Sequence, residues 1–152
     1  MKKRVALVWP WFETGIEFLP LSFAYLYANA PHDRYDVIIL DCVLMDTRAD
    51  DEFVSHLLSH CDWDAVCVGG LSSQWPEAKK LFALAKRVCP DCVTVYGGVH
   101  ATCYAVEVSC DLNIDYVLRG EADVALWALL DGHFGGDKSI CQPGLFSPVR
   151  VD

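Results

Sequence analysis

The sequence predicts a doubly wound α/β domain, with a parallel sheet covered by helices on both faces. Five apolar runs bounded by turn residues are nearly continuous in Val, Ile, Leu and aromatic residues, as in strands buried on both faces. Helical patterns separate these runs at intervals of about thirty residues, which indicates right-handed βαβ units. With 152 residues and 53% hydrophobic content, the chain can bury one sizeable core.

The strands are expected at residues 4–9, 35–40, 65–68, 93–96 and 114–118. Helices are expected at residues 20–29, 53–61, 76–88 and 121–131, with a short one after His100. Asp50 and Asp51 can cap the second helix, and Pro76 suits the first turn of the third. Gly132 is expected to stop the last helix.

Five strands joined in this way favour the flavodoxin-like order 2-1-3-4-5, in three layers. Ligands of such sheets bind outside the carboxyl ends of the strands, near the switch point beside the first strand. The loops that follow the strands read "PWFETGIEFLPLS", "DCVLMD", "GGLSSQWP", "GGVHAT" and "RGEAD". A functional site is therefore expected among these five loops.

Charge and hydropathy exclude several classes of partner. The net charge is −9 and the 12 basic residues form no stripe, which argues against a nucleic-acid partner. The start "MKKR" followed by an apolar run imitates a secretory signal, but Glu13 and Glu17 interrupt that run. No apolar stretch approaches the ~20 residues of a membrane span. We expect a cytoplasmic protein that binds no membrane.

The eight cysteines are expected to be reduced thiols, as is usual in the cytoplasm. The pair in "CPDC", Cys89 and Cys92, has three readings: a redox motif, half of a zinc site, or a turn from helix to strand built on Pro90 and Asp91. A redox motif sits at the start of a helix and a zinc site needs a second pair, so the turn is favoured.

The loop sequences also exclude several kinds of domain that share this fold. A dinucleotide site needs GxGxxG after the first strand, where this chain has Pro10, Trp11 and Phe12. A receiver domain needs an aspartate at the end of the third strand, where Gly69 stands. A flavodoxin needs a hydroxyl-rich phosphate loop after the first strand, and "ETG" is too little for one.

The combination of "VYGGVHAT" with "DYVLRGEAD", together with "LPLSFAYLYA", "DVIILDC" and "DAVCVGGLSSQWPEAKKLFALAK", resembles the amino-terminal cobalamin-binding domain of cobalamin-dependent radical S-adenosylmethionine enzymes. The resemblance covers nearly the whole chain. Two departures stand out. The chain lacks the DxHxxG motif whose histidine ligates cobalt in other cobalamin proteins, and it reads "RGEAD" where the family usually reads RGEGE. The resemblance thus implies cobalamin bound without a histidine from the first loop.

The resemblance implies a cofactor over the carboxyl ends of the strands, with its nucleotide tail buried between sheet and loops. The implied cofactor-binding residues are Leu71, Ser72, Ser73, Gly97, Gly98, Val99, His100, Arg119, Gly120 and Glu121. Glycine carries no Cβ, so the tail can lie directly on the backbone of Gly97 and Gly98. No residue of this chain is expected to be catalytic or to ligate a metal.

Three of these interpretations have alternatives. His100 lies beside the corrin, or it caps the helix that follows. Arg119 and Glu121 contact the ligand, or they form the start of a helix whose dipole favours the acid. The aromatic residues of the first loop pack as core, shield one corrin face, or dock a neighbouring domain; they are Trp9, Trp11, Phe12 and Phe18.

The chain has no CxxxCxxC triplet to hold the [4Fe-4S] cluster of radical S-adenosylmethionine chemistry. We therefore expect a cobalamin-binding domain at residues 1–132 and a connector at 133–152 toward a catalytic domain, which would supply the cluster and S-adenosylmethionine, in cis or in trans. The full enzyme would carry out methyl transfer or related radical chemistry. The alternative is a free-standing cobalamin sensor or carrier, or a ligand-free interaction module of the same fold.

Overall fold

The structure, a computed structural model, describes residues 1–14, 20–59, 62–136 and 144–146. The strands are β1 Lys3–Trp9, β2 Tyr35–Asp41, β3 Ala65–Gly69, β4 Val93–Gly97, β5 Tyr116–Leu118 and β6 Gly144–Phe146. The helices are α1 Leu21–Ala28, α2 Glu52–Ser59, α3 Trp75–Val88, α4 Val99–Cys103, α5 Ala105–Val108 and α6 Ala125–Gly135. A single 3₁₀ turn, Ser72–Gln74, precedes α3.

The strands form one parallel sheet in the order β2-β1-β3-β4-β5-β6. The predicted order 2-1-3-4-5 is confirmed. The sixth strand pairs Tyr116 with Gly144 and Leu118 with Phe146 at the outer edge of β5. It lies in the segment expected to be a connector, where three residues containing a glycine gave no apolar run to signal a strand.

Buried side chains fill two layers, one on each face of the sheet. Successive residues of a strand point to opposite faces, so Val66 and Val68 face one layer while Ala65 and Cys67 face the other. The first layer is completed by α2, α3, α4 and α5, and the second by α1 and α6. The predicted three-layer, doubly wound architecture is confirmed, and its switch point lies between β1 and β3.

Helix bounds agree with the sequence for α1 and α3 and differ for α6. Pro76 lies in the first turn of α3, as predicted. The last helix begins at Ala125 instead of residue 121, continues through the buried Gly132, and ends at Gly136 with φ 74°. Gly136 can adopt this left-handed cap without a Cβ penalty, whereas Gly132 packs inside the helix. The boundary expected at residue 132 thus falls within α6.

The second helix, α2, begins at Glu52, and the Asp51 side chain stabilises the turn before it. The Asp51 carboxylate accepts hydrogen bonds from the Thr47 hydroxyl (2.9 Å) and the Arg48 amide (2.6 Å). Val54 and Leu58 bury the apolar side of α2. Cys61, the last residue of the helix expected at 53–61, lies outside the described residues.

The "CPDC" segment forms the turn from α3 to β4 that the sequence favoured. Cys89 follows the last residue of α3, and its thiol lies 3.3 Å from the Trp63 carbonyl oxygen. Cys92 is buried, and burial raises the pKa of its thiol to about 12, so it stays protonated at neutral pH.

In the described ranges, no helix has the length and apolar character needed to cross a bilayer.

Candidate functional site

A cavity of about 460 Å³ opens at the carboxyl ends of the strands, between the sheet and helices α1 and α6. Its volume lies within the ~300–1,000 Å³ range of small-molecule sites. Strand residues Leu7, Cys67, Val95 and Leu118 form the floor, and the walls come from the two helices, chiefly Phe23 and Leu126. The cavity thus lies where the topology of the sheet predicts a ligand site.

Two glycines end neighbouring strands on the cavity face. Gly69 and Gly97 are paired across β3 and β4. A Cβ at Gly69 would lie 2.9 Å from Cε1 of Phe23, so that glycine is needed for the close approach of α1. A Cβ at Gly97 would meet only the Cβ of Leu118, at 3.8 Å. Gly97 therefore leaves the cavity open without being required by its protein neighbours.

Gly98 is required by the conformation and packing of its own backbone. Its φ is 93°, a region that other residues rarely adopt, and a Cβ there would lie 3.0 Å from both the nitrogen and the oxygen of Gly70. The loops after β3 and β4 therefore pack backbone against backbone at this point. A side chain at Gly98 would therefore meet the protein's own backbone.

The cavity gathers six of the ten predicted residues. Those that line it are Leu71, Gly97, Gly98, Val99, Gly120 and Glu121. Ser72, Ser73, His100 and Arg119 lie outside its lining. Phe23, Cys67 and Leu126 also line the cavity and were not predicted, although the alternation of strand residues marks Cys67 as facing the same layer as Gly69.

His100 is buried in the opposite layer, with 6% of its surface exposed. Its ring stacks between Trp75 and Tyr104, at centroid distances of 5.1 and 4.8 Å. Nδ1 lies 3.0 Å from the Ser72 hydroxyl, while in the described part of the chain the buried Nε2 has no hydrogen-bond partner. The imidazole neither caps α4, whose N-cap is Gly98, nor lines the cavity. It ties the loop after β4 to the loop after β3.

Burial lowers the pKa of His100, and the nearby Glu107 only partly opposes this. The unfolded chain therefore takes up the proton at a higher pH than the native chain. We expect the free energy of unfolding to be fully maintained above the ordinary imidazole pKa of 6.5 and to fall as the pH drops below it.

Chemical denaturation between pH 7.5 and 5 measures this slope, and His100→Asn should reduce it. Asparagine can still bond the Ser72 hydroxyl but does not titrate. His32→Asn is the matched control, because it replaces an exposed imidazole that bonds the Tyr27 carbonyl. An unchanged slope in His100→Asn would show that the buried imidazole does not limit acid stability.

Thr102 joins the two halves of the sequence motif. Its hydroxyl donates to the Gly98 carbonyl at 2.8 Å and accepts the Gly120 amide at 2.9 Å. Gly120 has φ 76°, which directs its amide toward this hydroxyl. The residue pattern that linked "GGVHAT" to "RGEAD" thus has a direct physical basis, since one side chain connects the loops after β4 and β5.

Gln74 fixes the loop after β3 on its other side. Its side chain is fully buried, its Nε2 donates to the Pro10 carbonyl at 2.6 Å, and its Oε1 accepts the Leu71 amide at 2.9 Å. A buried amide with both ends bonded holds two chain segments in a defined relation. The loops after β1, β3, β4 and β5 are therefore bonded in series around the cavity.

The aromatic residues of the first loop pack mainly as core, which was one of the three interpretations. Trp9 is 7% exposed, contacts Phe23 edge to face at 5.5 Å, and also lines the cavity. Trp11 packs against the opposite layer, with the Arg48 guanidinium 3.8 Å from its ring centroid. Phe12 packs against the layer of α1 and α6. Phe18 lies outside the described residues.

Arg119 and Glu121 do not start a helix, because α6 begins four residues after Glu121. Both are exposed. Glu121 lies at the mouth of the cavity together with Asp123, whereas Arg119 does not line the cavity. In the described residues no group of three or more His, Cys, Asp and Glu side chains is placed to hold a metal ion.

Comparison with known proteins gives one family match. Residues 13–130 match the model of the B12 binding domain. Over 132 residues the chain is 30% identical to an anaerobic magnesium-protoporphyrin IX monomethyl ester cyclase of Rubrivivax gelatinosus, covering 83% of this chain and 23% of that protein. It is 28% identical over 137 residues to an uncharacterized methyltransferase of Pyrococcus horikoshii, covering 84% and 29%. The chain thus spans about a quarter of each relative's length.

Among solved structures, the radical S-adenosylmethionine methyltransferase TsrM from Kitasatospora setae, with cobalamin and a [4Fe-4S] cluster bound, has the same fold. Its TM-score is 0.73 at 19% identity, covering 95% of this chain and 27% of that one. A second structure of TsrM, with tryptophan substrate and an S-adenosylmethionine analogue, matches at the same TM-score and covers 94% and 28%.

Proposed function

The chain belongs to the B12-binding domain family, and from this premise we propose that it holds cobalamin over the carboxyl ends of its strands for a radical S-adenosylmethionine enzyme. The observation that carries the proposal is the cavity beside Gly97, which is open, apolar and placed at the expected edge of the sheet. Its volume suits the nucleotide tail of a corrinoid, while the corrin ring would lie outside it.

The residues that would hold the cofactor fall into two groups. The base of the tail would lie on Gly97 and against Phe23 and Leu118, which exclude water from it. The polar part of the tail and the corrin amides would lie at the mouth, near Leu71 and Glu121. When bound, cobalamin supplies a cobalt that can carry a methyl group. The chain's own part is to bind, orient and shield that cofactor.

We place the catalytic chemistry in a second domain, which would bind S-adenosylmethionine and a [4Fe-4S] cluster. Two observations support this. The matched regions are only 23% and 29% of the curated relatives, and β6 runs parallel to β5, leading the chain toward the edge of the sheet where the cavity opens. Methyl transfer or related radical chemistry, in the cytoplasm, is the activity we propose for the whole enzyme.

We further propose that no protein imidazole ligates the cobalt. The Nε2 atom of His100 is buried behind Trp75 and Tyr104, and the other described histidines lie away from the cavity. A tail held in the cavity also keeps its benzimidazole off the metal. Reconstituted cob(II)alamin should therefore show a paramagnetic spectrum without nitrogen superhyperfine splitting.

The spectrum is recorded on the purified chain loaded with cobalamin and reduced by one electron, with and without uniform ¹⁵N labelling of the protein. A splitting that changes on labelling would identify a histidine ligand and contradict the proposal. A splitting that does not change would identify the cofactor's own base and place the tail outside the cavity. Failure to take up cobalamin would favour the alternative of a ligand-free interaction module.

A further inference from the structure

We propose that the cavity selects among corrinoids by the base at the end of their nucleotide tail, and that it favours a benzimidazole over a purine. This inference rests on the proposed function, because it assumes that the tail enters the cavity. The selection would be made by the small number of hydrogen-bonding groups where the base would lie, and by apolar contacts that suit the methyl groups of dimethylbenzimidazole.

The buried lining of the cavity is almost wholly apolar. The side chains that line it with under a tenth of their surface exposed are Leu7, Trp9, Phe23, Leu26, Cys67, Val95, Leu118 and Leu126. Burial raises the pKa of the Cys67 thiol, which stays a weakly hydrogen-bonding S–H group. The backbone of the strands beneath is paired in the sheet.

The polar groups of the cavity lie at its mouth. Ser22 and Glu121 are exposed, and Asp123 is half-buried. The hydroxyl of the half-buried Thr102 already donates to the Gly98 carbonyl and accepts the Gly120 amide. A base that enters beyond the mouth therefore meets mainly hydrocarbon and aromatic rings, with the Cys67 thiol and the indole of Trp9 as the polar side-chain groups of the buried lining.

The two kinds of base differ in the hydrogen bonds to water that they lose on entering the cavity. Dimethylbenzimidazole has one ring nitrogen free to accept a hydrogen bond, and its two methyl groups gain from apolar burial. Adenine has an exocyclic amino donor and several ring acceptors, each of which loses its water without gaining a partner. One such unpaired group makes binding about tenfold weaker, so an adenine-bearing corrinoid should bind at least about tenfold more weakly than cobalamin.

The test compares three corrinoids on the purified chain: cobalamin, the corrinoid with adenine as its lower base, and cobinamide, which has no nucleotide tail. Dissociation constants are measured by titration of the absorption spectrum. Cobalamin should bind tightest, the adenine form at least about tenfold more weakly, and cobinamide no more tightly than the adenine form. Equal binding of cobalamin and the adenine form would overturn the inference and leave the proposed function standing.

Two variants locate the selection. Gly97→Leu fills the cavity, so it should bring cobalamin and the adenine form to the same weak affinity as cobinamide. Gly135→Leu places the same side chain on α6 at a point where no atom of the described residues lies within 4 Å of the new Cβ, and it should keep the wild-type preference. A preference that persists in Gly97→Leu would show that the base is read elsewhere. No binding of any corrinoid to the wild-type chain would instead refute the proposed function itself.

Discussion

Replacing Gly97 by leucine is expected to weaken cobalamin binding by about a hundredfold or more, with little loss of fold stability. The Cβ itself has room, since its nearest neighbour would be the Cβ of Leu118 at 3.8 Å. The rest of the side chain extends into the cavity and occupies the space proposed for the tail. Losing the burial of one aromatic base costs about 2–3 kcal/mol, which corresponds to that factor.

Gly97→Ala provides the size series, because a methyl group takes up little of a cavity of about 460 Å³. It should weaken binding far less than leucine does. Binding is followed by cobalamin titration and stability by thermal unfolding of each variant. If Gly97→Leu bound cobalamin normally while remaining folded, the tail would not lie in this cavity and the main physical support for the site would be lost.

Replacing Gly98 by alanine should, in contrast, destabilise the fold itself. A non-glycine residue held at φ 93° costs about 1–3 kcal/mol, and the new Cβ would also press on the Gly70 backbone at 3.0 Å. For a chain of this size we expect the melting temperature to fall by roughly 2–10 °C. The two neighbouring glycines are thus expected to matter for different properties. Gly97 matters for cobalamin binding, and Gly98 matters for the stability of the fold.

The comparison of Gly98→Ala with Gly98→Leu separates strain from ligand contact. Strain and backbone crowding arise at the Cβ, so alanine should lower the melting temperature almost as much as leucine does. Thermal unfolding without cofactor measures this directly. An alanine variant as stable as the wild type, with only the leucine variant failing to bind cobalamin, would return Gly98 to a role in ligand contact.

The sheet could be predicted because its strands are buried on both faces and so appear as continuous apolar runs. The run at 65–68, for example, became β3 with every residue buried. β6 could not be predicted, since its pairing with β5 depends on the path of the chain and not on a local pattern. The late start of α6 also depends on a contact between distant segments, because the Gly120 amide of the preceding loop donates a hydrogen bond to the Thr102 hydroxyl.

The cavity lies at the carboxyl ends of the strands, where the sequence predicts a site, but several of the residues that line it were not predicted. Its glycines could be read from the sequence, because two strands end in Gly-Gly. Phe23 and Leu126 could not, because helical side chains reach the cavity only through the angle at which α1 and α6 pack. The burial of His100 could not be predicted for a related reason, since Trp75 and Tyr104 enclose it only once α3 and α4 are assembled.

The Thr102 hydroxyl also bears on how the site opens. Because the Thr102 hydroxyl of the loop after β4 accepts the Gly120 amide of the loop after β5, the two loops cannot separate without breaking this hydrogen bond. Local unfolding at this edge is therefore a joint event of two segments that are distant in sequence. The lifetime of a molecule held beneath them would be governed by that joint opening and not by the mobility of either loop alone.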